Sequence, residues 1–544
     1  MAERARWPGV SVALVLLLAI LPYVPAFSNG FALDDVWQVE TNDAVHDPGN
    51  VGALLVSPYS VGTNPQRSPY RPVTTVTWAV DWALGGGSPT VFHVTNVLLH
   101  AGACVALLAL LCTLGAPAGA ATAAAALFAV HPVHVEAVAN VVGRADVLAT
   151  LFVLLAALAY LSEWGARWGV AARAAAVGAA YLLALGSKEI GVTLPGLLVL
   201  LEAARCGGDR RRLASALWRE RWVYGAAAVV LVAYLGARLA VLGMVSTYDV
   251  APYIAVLPSG VRAATAVANL SEVVRLLAFP LDLSSEYGPA VILPTGAASL
   301  RFWTGALVGV GGLALGGLAL RRGAPLAGAG LLWIALALLP IANLVLPVPI
   351  WLAERTLYLP SVGAAAVVAG VGAALARSRR QRLRAPAVAA AILFVILGAA
   401  RSWTRSGTWR DTETVLATLA EDHPESFRAQ WWVAGRLVQA GSVERGLDRM
   451  EEAVRLNAND AFIRLDQVRL LLVAGRPAEA EEKLRSIPEG MSPTWHAYRV
   501  QSLADRGLME EAREAARRGL ERFPGNELLS GQAAALGVII PSTR

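Results

Sequence analysis

The strongest constraint on this chain is a succession of apolar runs that are long enough, or nearly long enough, to cross a lipid bilayer as helices. Hydrophobic residues make up 56% of the 544 residues and charged residues only 16%, a balance that one water-soluble core cannot accommodate. We therefore predict an all-α, polytopic membrane bundle. Its eleven spans are expected near residues 9–27, 91–113, 117–131, 146–162, 170–186, 190–204, 222–243, 303–320, 325–344, 357–376 and 385–401.

The arginines indicate how these spans are oriented. With the N-terminus in the cytoplasm, the predicted inner loops contain most of the loop arginines, including Arg210, Arg211, Arg212 and the cluster from Arg377 to Arg384. This distribution follows the positive-inside rule. Basic loops facing an anionic inner leaflet also explain the net charge of +6 without any nucleic acid. Eleven spans then place the C-terminus on the outer side.

The segment 256–283 is ambiguous because it is moderately apolar but contains Asn269, Glu272 and Arg275. Counting it as a span would turn every later basic loop outward. We therefore predict an interfacial or re-entrant helix inside an outer loop over residues 245–301.

From about residue 410 the sequence changes to amphipathic helices with a regular period. Gly441, Gly475 and Gly507 are 34 and 32 residues apart, and each separates two helical patterns. A helix-turn-helix unit of this length resembles the tetratricopeptide repeat, and three such units can stack into an α-solenoid. We predict a membrane domain over 1–405 and a repeat domain over 410–535. Its aromatic residues either line a peptide-binding face or fill the packing between helices.

Two adjacent carboxylates, Asp34 and Asp35, follow the first span at the start of an outer loop over 28–90. A carboxylate there could act as a general base on a hydroxyl, bind a cation, or cap the next helix. The residues alone leave these three interpretations open.

Further charged residues lie at the outer ends of predicted spans, where their cost in a membrane makes them functional candidates. Lys188 and Arg355 each stand beside a carboxylate, Glu189 and Glu354. Each pair alone could be a structural ion pair, but several on one face suggest an anion site. A lipid-linked phosphate fits, since Arg offers bidentate donors and Lys a point charge. The other candidates on this face are His131, His134, Glu136, Arg144 and Asp146.

His131, His134 and Glu136 also raise the question of a metal site. Two histidines three residues apart across a proline do not form the helical zinc-binding pattern, so we predict no metal ion. Nor is there a glycine-rich loop of the kind that binds nucleotides. We expect no cofactor.

Seven short motifs occur in a fixed order: Asp34–Asp35, Tyr70–Thr75, Phe92–His100, His131–Glu136, Val142–Asp146, Ser187–Glu189 and Glu354–Pro360. With the C-terminal repeats, this combination resembles the transmembrane and tetratricopeptide-repeat-containing O-mannosyltransferases and their bacterial relatives.

The resemblance implies a GT-C type glycosyltransferase that moves a sugar, mannose, from a polyprenyl-phosphate carrier to protein Ser or Thr hydroxyls with inversion. It implies that Asp34 or Asp35 is the catalytic base, and that Arg144, Lys188 and Arg355 bind the lipid phosphate. We expect a multi-pass protein of the cytoplasmic (inner) membrane. Its reaction would take place on the outer side, where the repeats would hold a protein or peptide acceptor.

Two further hypotheses belong to other classes of protein. A non-catalytic repeat scaffold for envelope assembly would not need paired carboxylates opposite several cations. A flippase would be expected to show inverted repeats, and the membrane half shows no duplication. A glycosyltransferase with a lipid or glycan acceptor also fits the residues.

Overall fold

The computed structural model describes residues 9–60, 68–161, 169–244, 251–344, 347–378, 381–489 and 492–538. The described residues form helices, turns and loops without any β-strand. They divide into two units. The first unit comprises residues 1–250, 258–287 and 294–415, and the second comprises 251–257, 288–293 and 416–544.

The first unit is a helical bundle with short helices and 3-10 turns between its longer helices. In chain order the longer helices are α1 Gly9–Ile20, α2 Pro72–Gly85, α3 Pro89–Thr113, α4 Ala118–Ala129, α5 Arg144–Leu161, α6 Gly169–Ser187, α7 Leu194–Arg205, α8 Arg210–Arg219, α9 Arg221–Leu242, α10 Ser259–Ala278, α11 Leu300–Arg321, α12 Pro325–Leu338, α13 Tyr358–Arg377 and α14 Arg384–Ser406.

Eight helical segments within the described residues are long and apolar enough to cross a membrane. They are Gly9–Ser28, Pro89–Thr113, Val141–Leu161, Gly169–Ser187, Arg221–Leu242, Leu300–Arg321, Glu354–Arg377 and Gln381–Trp409. A polytopic helical protein is therefore confirmed. α10, in the segment predicted to be interfacial or re-entrant, does not meet the same test.

The remaining three of the eleven predicted spans are shorter or broken helices. α7 has 12 residues and α12 has 14, which gives lengths of about 18 and 21 Å against a hydrocarbon core of about 30 Å. α4 and the following helix Pro132–Ala139 are bent by 48°. Pro132 explains the bend, because it lacks an N–H and forces His131 into an extended conformation. If this bent pair of helices is counted as one span, the described residues contain nine candidate spans.

Glycines bring several of these helices close together. A Cβ atom at Gly330 of α12 would lie 2.5 Å from the backbone oxygen of Gly363 in α13, and one at Gly328 would lie 2.6 Å from that of Gly316 in α11. Small residues at helix crossings allow this backbone approach, as is common in membrane bundles.

The second unit consists mainly of amphipathic helices in antiparallel succession. They include α15 Phe427–Gln439, α16 Val443–Leu456, α17 Ala461–Val473, α18 Pro477–Arg485, α19 Pro493–Asp505, α20 Met509–Arg522 and α21 Glu527–Ala535.

Three glycines of the second unit lie at the turns between paired helices. Gly441, Gly475 and Gly507 have φ values of 81°, 70° and 77°, the left-handed conformation that ends a helix at little cost when the residue is Gly. The helix pairs have the length of the sequence period. Their assignment to the tetratricopeptide repeat stays a prediction.

Candidate active site

The loop after α1 turns at Leu33 and separates the two adjacent aspartates. Leu33 has a φ of 50°, which is uncommon for a residue with a side chain, and its N–H donates to Thr412 Oγ1 at 2.8 Å. Asp34 is exposed, whereas Asp35 is only 1% exposed. Of the two carboxylates, Asp34 is therefore the one that a substrate can reach.

Asp35 accepts hydrogen bonds from three backbone N–H groups. Its carboxylate lies 2.8 Å from the nitrogen of Val142, 3.3 Å from that of Val141 and 3.2 Å from that of Ala32. Burial raises the pKa of Asp35, and these three N–H donors oppose that shift. Since Val141–Gly143 is the 3-10 turn that leads into α5, Asp35 caps this turn and positions the loop.

Arg355 is anchored by the buried carboxylate of Glu136. The backbone N–H of Arg355 donates to Glu136 Oε2 at 2.9 Å, and its guanidinium donates to Oε1. The Arg355 side chain is 26% exposed and that of Glu136 1%. Arg355 also interacts electrostatically with Asp34 and Asp146. A partly exposed cation thus lies near the exposed Asp34 carboxylate.

Lys188 adds a second cation to this group. Its Nζ donates to Asp146 Oδ2 at 2.5 Å. Burial lowers the pKa of Lys188, Asp146 opposes the shift, and repulsion from Arg71 and Arg355 lowers the pKa further. Lys188 is therefore close enough to Arg71 and to Arg355 to be repelled by both, and a bound anion would relieve that repulsion.

Glu189 fixes the third cation, Arg71. Arg71 donates to Glu189 Oε2 at 2.9 Å, and Arg238 donates to Oε1 at 3.3 Å. Burial raises the pKa of Glu189, but Arg71 and Arg238 outweigh it and hold the pKa at about 2. The Arg71 guanidinium also lies 5.0 Å from the centre of the Tyr59 ring. We call Asp34, Arg71, Lys188 and Arg355 the charged cluster.

Arg144 does not reach this cluster's surface. Its side chain is fully buried and donates to Asn96 Oδ1 at 2.6 Å, to the carbonyl of Phe92 at 3.0 Å and to the carbonyl of Thr77 at 3.2 Å, as well as to Asp81. These bonds join α5 to α2 and α3. The predicted phosphate contact of Arg144 therefore lacks support from the geometry, which favours a structural role.

The chain is similar in sequence to several proteins named protein O-mannosyl-transferase. No family model matches the chain. Protein O-mannosyl-transferase TMTC4 of Mus musculus is 27% identical over 489 residues, 80% of this chain and 64% of the mouse protein. TMTC4 of Homo sapiens is 28% identical over 476 residues, with 78% and 63% covered. Human protein O-mannosyl-transferase TMTC2 is 34% identical over 168 residues, with 30% and 19% covered.

The chain is thus similar in sequence to proteins named protein O-mannosyl-transferase. It spans less than two thirds of the length of the two TMTC4 proteins.

The two histidines of the motif His131–Glu136 have separate partners. His131 Nε2 lies 3.1 Å from the carbonyl of Leu277, and His134 Nε2 lies 2.8 Å from Ser361 Oγ. Glu136, the third member of the sequence motif, is paired with Arg355. Among the described residues, no group of three or more His, Cys, Asp or Glu side chains is arranged to hold a metal ion. The supporting roles predicted for these residues stay predictions.

Glu354 has a structural environment that the sequence did not indicate. It is fully buried, and it accepts bonds from Ser284 N at 2.6 Å, Tyr287 Oη at 2.9 Å and the Arg405 guanidinium at 3.1 Å. It thus ties the loop after α10 and the end of α14 to the start of α13, next to Arg355.

Sequence reasoning did not single out Arg71, although it lies within the motif Tyr70–Thr75. Its position just before Pro72, where α2 begins, was the available signal: it resembles Lys188 and Arg355 in standing at a helix end.

Proposed function

We propose that this chain is a membrane glycosyltransferase that moves mannose from a polyprenyl-phosphate carrier to Ser or Thr hydroxyls of proteins. The proteins to which it is similar are named protein O-mannosyl-transferases, and this supports the reaction class. The observation that carries the proposal is the charged cluster. It combines one exposed carboxylate, Asp34, with cations that are held in place by the buried carboxylates of Glu136 and Asp146 and the partly buried carboxylate of Glu189.

In the proposed reaction, the acceptor hydroxyl oxygen attacks the anomeric carbon of the sugar while its proton passes to Asp34. The bond between that carbon and the phosphate oxygen breaks, and the phosphate leaves on the lipid. Arg355 and Lys188 stabilise the charge that develops on the departing phosphate. Attack from the side opposite the leaving group inverts the anomeric centre.

The residues around the cluster have positioning roles in this proposal. Glu136 and Asp146 hold the two cations, and Glu189 holds Arg71. Asp35 fixes the loop that presents Asp34. No residue of this set requires a metal ion or another cofactor for the proton transfer.

The proposal extends to sidedness and acceptor binding. Arginine-rich loops on the cytoplasmic face would put the charged cluster on the outer face of the cytoplasmic (inner) membrane. The helix pairs of the second unit would then hold the protein or peptide acceptor.

The decisive experiment measures transfer of radiolabelled mannose from polyprenyl-phosphate mannose to a Ser/Thr-rich peptide by the full chain reconstituted in lipid. The Asp34→Asn variant is compared with wild type and with Asp43→Asn, which removes a fully exposed carboxylate from the same loop. We expect Asp34→Asn to lower the rate by about 100-fold or more and Asp43→Asn to leave it unchanged.

Equal activity in all three proteins would exclude Asp34 as the base. If wild type transfers no sugar from any polyprenyl-phosphate donor, and the second unit captures a specific partner, the scaffold hypothesis replaces the enzyme. Transfer to a lipid or glycan but not to the peptide would correct the acceptor class.

A further inference from the structure

A polar cavity of about 160 Å³ lies at the ends of α5 to α8. Its polar lining comes from Tyr160, Arg173, Glu202, Arg205, Arg219 and Glu220. None of these residues belongs to the charged cluster or to the motifs that the proposed function uses.

The cavity and the charged cluster lie at opposite ends of the same helices. α5 starts at Arg144 near the cluster, and Tyr160 follows sixteen residues later, about 24 Å along the axis. α6 likewise runs from the region of Arg173 to Lys188. Because both helices are long and apolar enough to cross a membrane, the cavity lies near the membrane surface opposite the cluster.

The charges of the cavity favour an anion. Three arginines face two glutamates, and both glutamates are already paired: Arg173 donates to both oxygens of Glu220 at 2.7 and 2.6 Å, and Arg205 lies 3.4 Å from Glu202. The Nε of Arg173 is buried without a hydrogen-bond partner. A buried donor of this kind costs free energy unless a partner satisfies it.

The residues that flank Arg219 and Glu220 in sequence have the composition of a membrane interface. Trp218 and Trp222 are 70% and 63% exposed, and the Arg221 guanidinium lies 4.9 Å and 5.4 Å from the centres of their rings. Tryptophan collects at the headgroup level of bilayers. α8, which also contains Arg210 and Arg211, fits a helix that lies along that surface.

We propose that this cavity binds the phosphate of an anionic phospholipid from the leaflet opposite the charged cluster. Arg205 and Arg219 would contact the phosphate at the mouth, and the Nε of Arg173 would donate to it from inside. The two tryptophans would lie beside the acyl chains. Basic pockets between membrane helices bind phospholipid headgroups in this way. The site does not depend on glycosyl transfer.

The test uses the full chain in a neutral detergent and native mass spectrometry. Retention of phosphatidylglycerol is compared with that of phosphatidylcholine with the same acyl chains. Arg205→Ala/Arg219→Ala removes two cavity cations. Arg210→Ala/Arg211→Ala removes two arginines near the cavity that do not line it and serves as the matched control. A third variant, Arg173→Lys, keeps the charge beside Glu220 but removes the Nε donor.

We expect wild type and the control to retain phosphatidylglycerol in preference to phosphatidylcholine. We expect Arg205→Ala/Arg219→Ala to weaken that binding by about tenfold or more, because two charge-assisted hydrogen bonds are lost, and Arg173→Lys to weaken it less. Equal loss in the control, or no preference between the two lipids, would overturn the site in favour of general surface attraction.

Competition with inorganic phosphate distinguishes a site for the free anion from a site for a phospholipid headgroup. If millimolar phosphate binds wild type, is lost in Arg205→Ala/Arg219→Ala and displaces the phospholipid, the cavity is a site for the free anion and the lipid proposal fails. Retention of the phospholipid in excess phosphate supports it.

Discussion

Ion pairs in the two units of this protein differ in their surroundings. In the first unit, the side chains of Arg144 and Asp81 are 0% and 4% exposed, and Arg405 and Glu354 are similarly buried. In the second unit, Arg518 and Glu514 form an (i, i+4) pair on one helix with exposures of 48% and 65%. These two buried pairs of the first unit join residues that are distant in sequence, whereas this second-unit pair joins neighbours on a helix surface.

The difference follows from the free-energy cost of an unpaired ion in each environment. Inside an apolar bundle, an isolated charge costs several kcal/mol and must be matched. On a helix in water, a pair contributes only about 0.2–1 kcal/mol. Buried pairs therefore determine the geometry of the first unit, including the charged cluster, and surface pairs contribute little more than solubility.

The largest expected effect is that of Arg144→Met. The change leaves Asp81 buried without its cation, which costs about 3–5 kcal/mol. Denaturant titration of the full chain in mixed micelles measures the free energy of unfolding. Arg144→Met/Asp81→Asn is the control, because it also removes the stranded charge and should recover part of the loss. A loss below about 1 kcal/mol for Arg144→Met would show that this pair behaves like a surface pair.

Glu189→Gln gives an intermediate effect that depends on pH. The folded pKa of Glu189, about 2, is below the ordinary glutamate value, so its stabilisation is present above the unfolded pKa and disappears as pH falls through the folded pKa. We expect Glu189→Gln to cost about 2–3 kcal/mol near pH 7. The difference from wild type should shrink below about pH 4.

Thermal unfolding midpoints of both proteins across this acidic range provide the measurement. Arg262→Gln, which changes an arginine at the start of α10, controls for general acid effects. A difference that stays constant down to pH 3 would contradict the contribution of ionised Glu189.

Asp35→Asn and Asp34→Asn compare the stability contributions of a buried and an exposed carboxylate within one loop. An amide at position 35 would present an NH₂ group or a weaker acceptor to three backbone N–H donors, so we expect a loss of about 1–3 kcal/mol. Asp34 is exposed, and its replacement should change the free energy of unfolding by less than about 0.5 kcal/mol. The same denaturant titration tests both, and equal losses would contradict the division between a positioning and an accessible carboxylate.

The helical membrane fold was predictable because long apolar runs indicate membrane helices. Each of the eleven runs contains a helix, but composition does not reveal where a helix begins. In the run 190–204, residues 190–193 belong to the 3-10 segment Glu189–Thr193, and in the run 325–344 the α-helix already ends at Leu338. Within the part of the chain that the structure describes, eight to nine segments, rather than eleven, are therefore long and apolar enough to span a membrane.

The candidate site was predictable as a set of residue types at helix ends, but its pairing was not. Arg355 donates a hydrogen bond to Glu136, which is 219 positions away in the chain, and Asp35 accepts one from Val142, which is 107 positions away. Pairings at this distance depend on tertiary packing, which carries no local sequence signal. The same limitation left Asp34 and Asp35 equivalent in sequence, until burial distinguished them.

The smallest expected effect is that of Glu514→Gln in the second unit. The carboxylate lies 3.8 Å from Arg518, and both side chains are largely hydrated, so we expect a loss of less than about 0.5 kcal/mol. Because salt screens exposed charges, the loss should vanish at about 1 M salt, as the unfolding midpoint of the full chain would show. A loss as large as that of Arg144→Met, persisting in salt, would mean that burial does not decide the strength of ion pairs in this protein. Burial of the ion pairs would then not explain how the charged cluster is held in place.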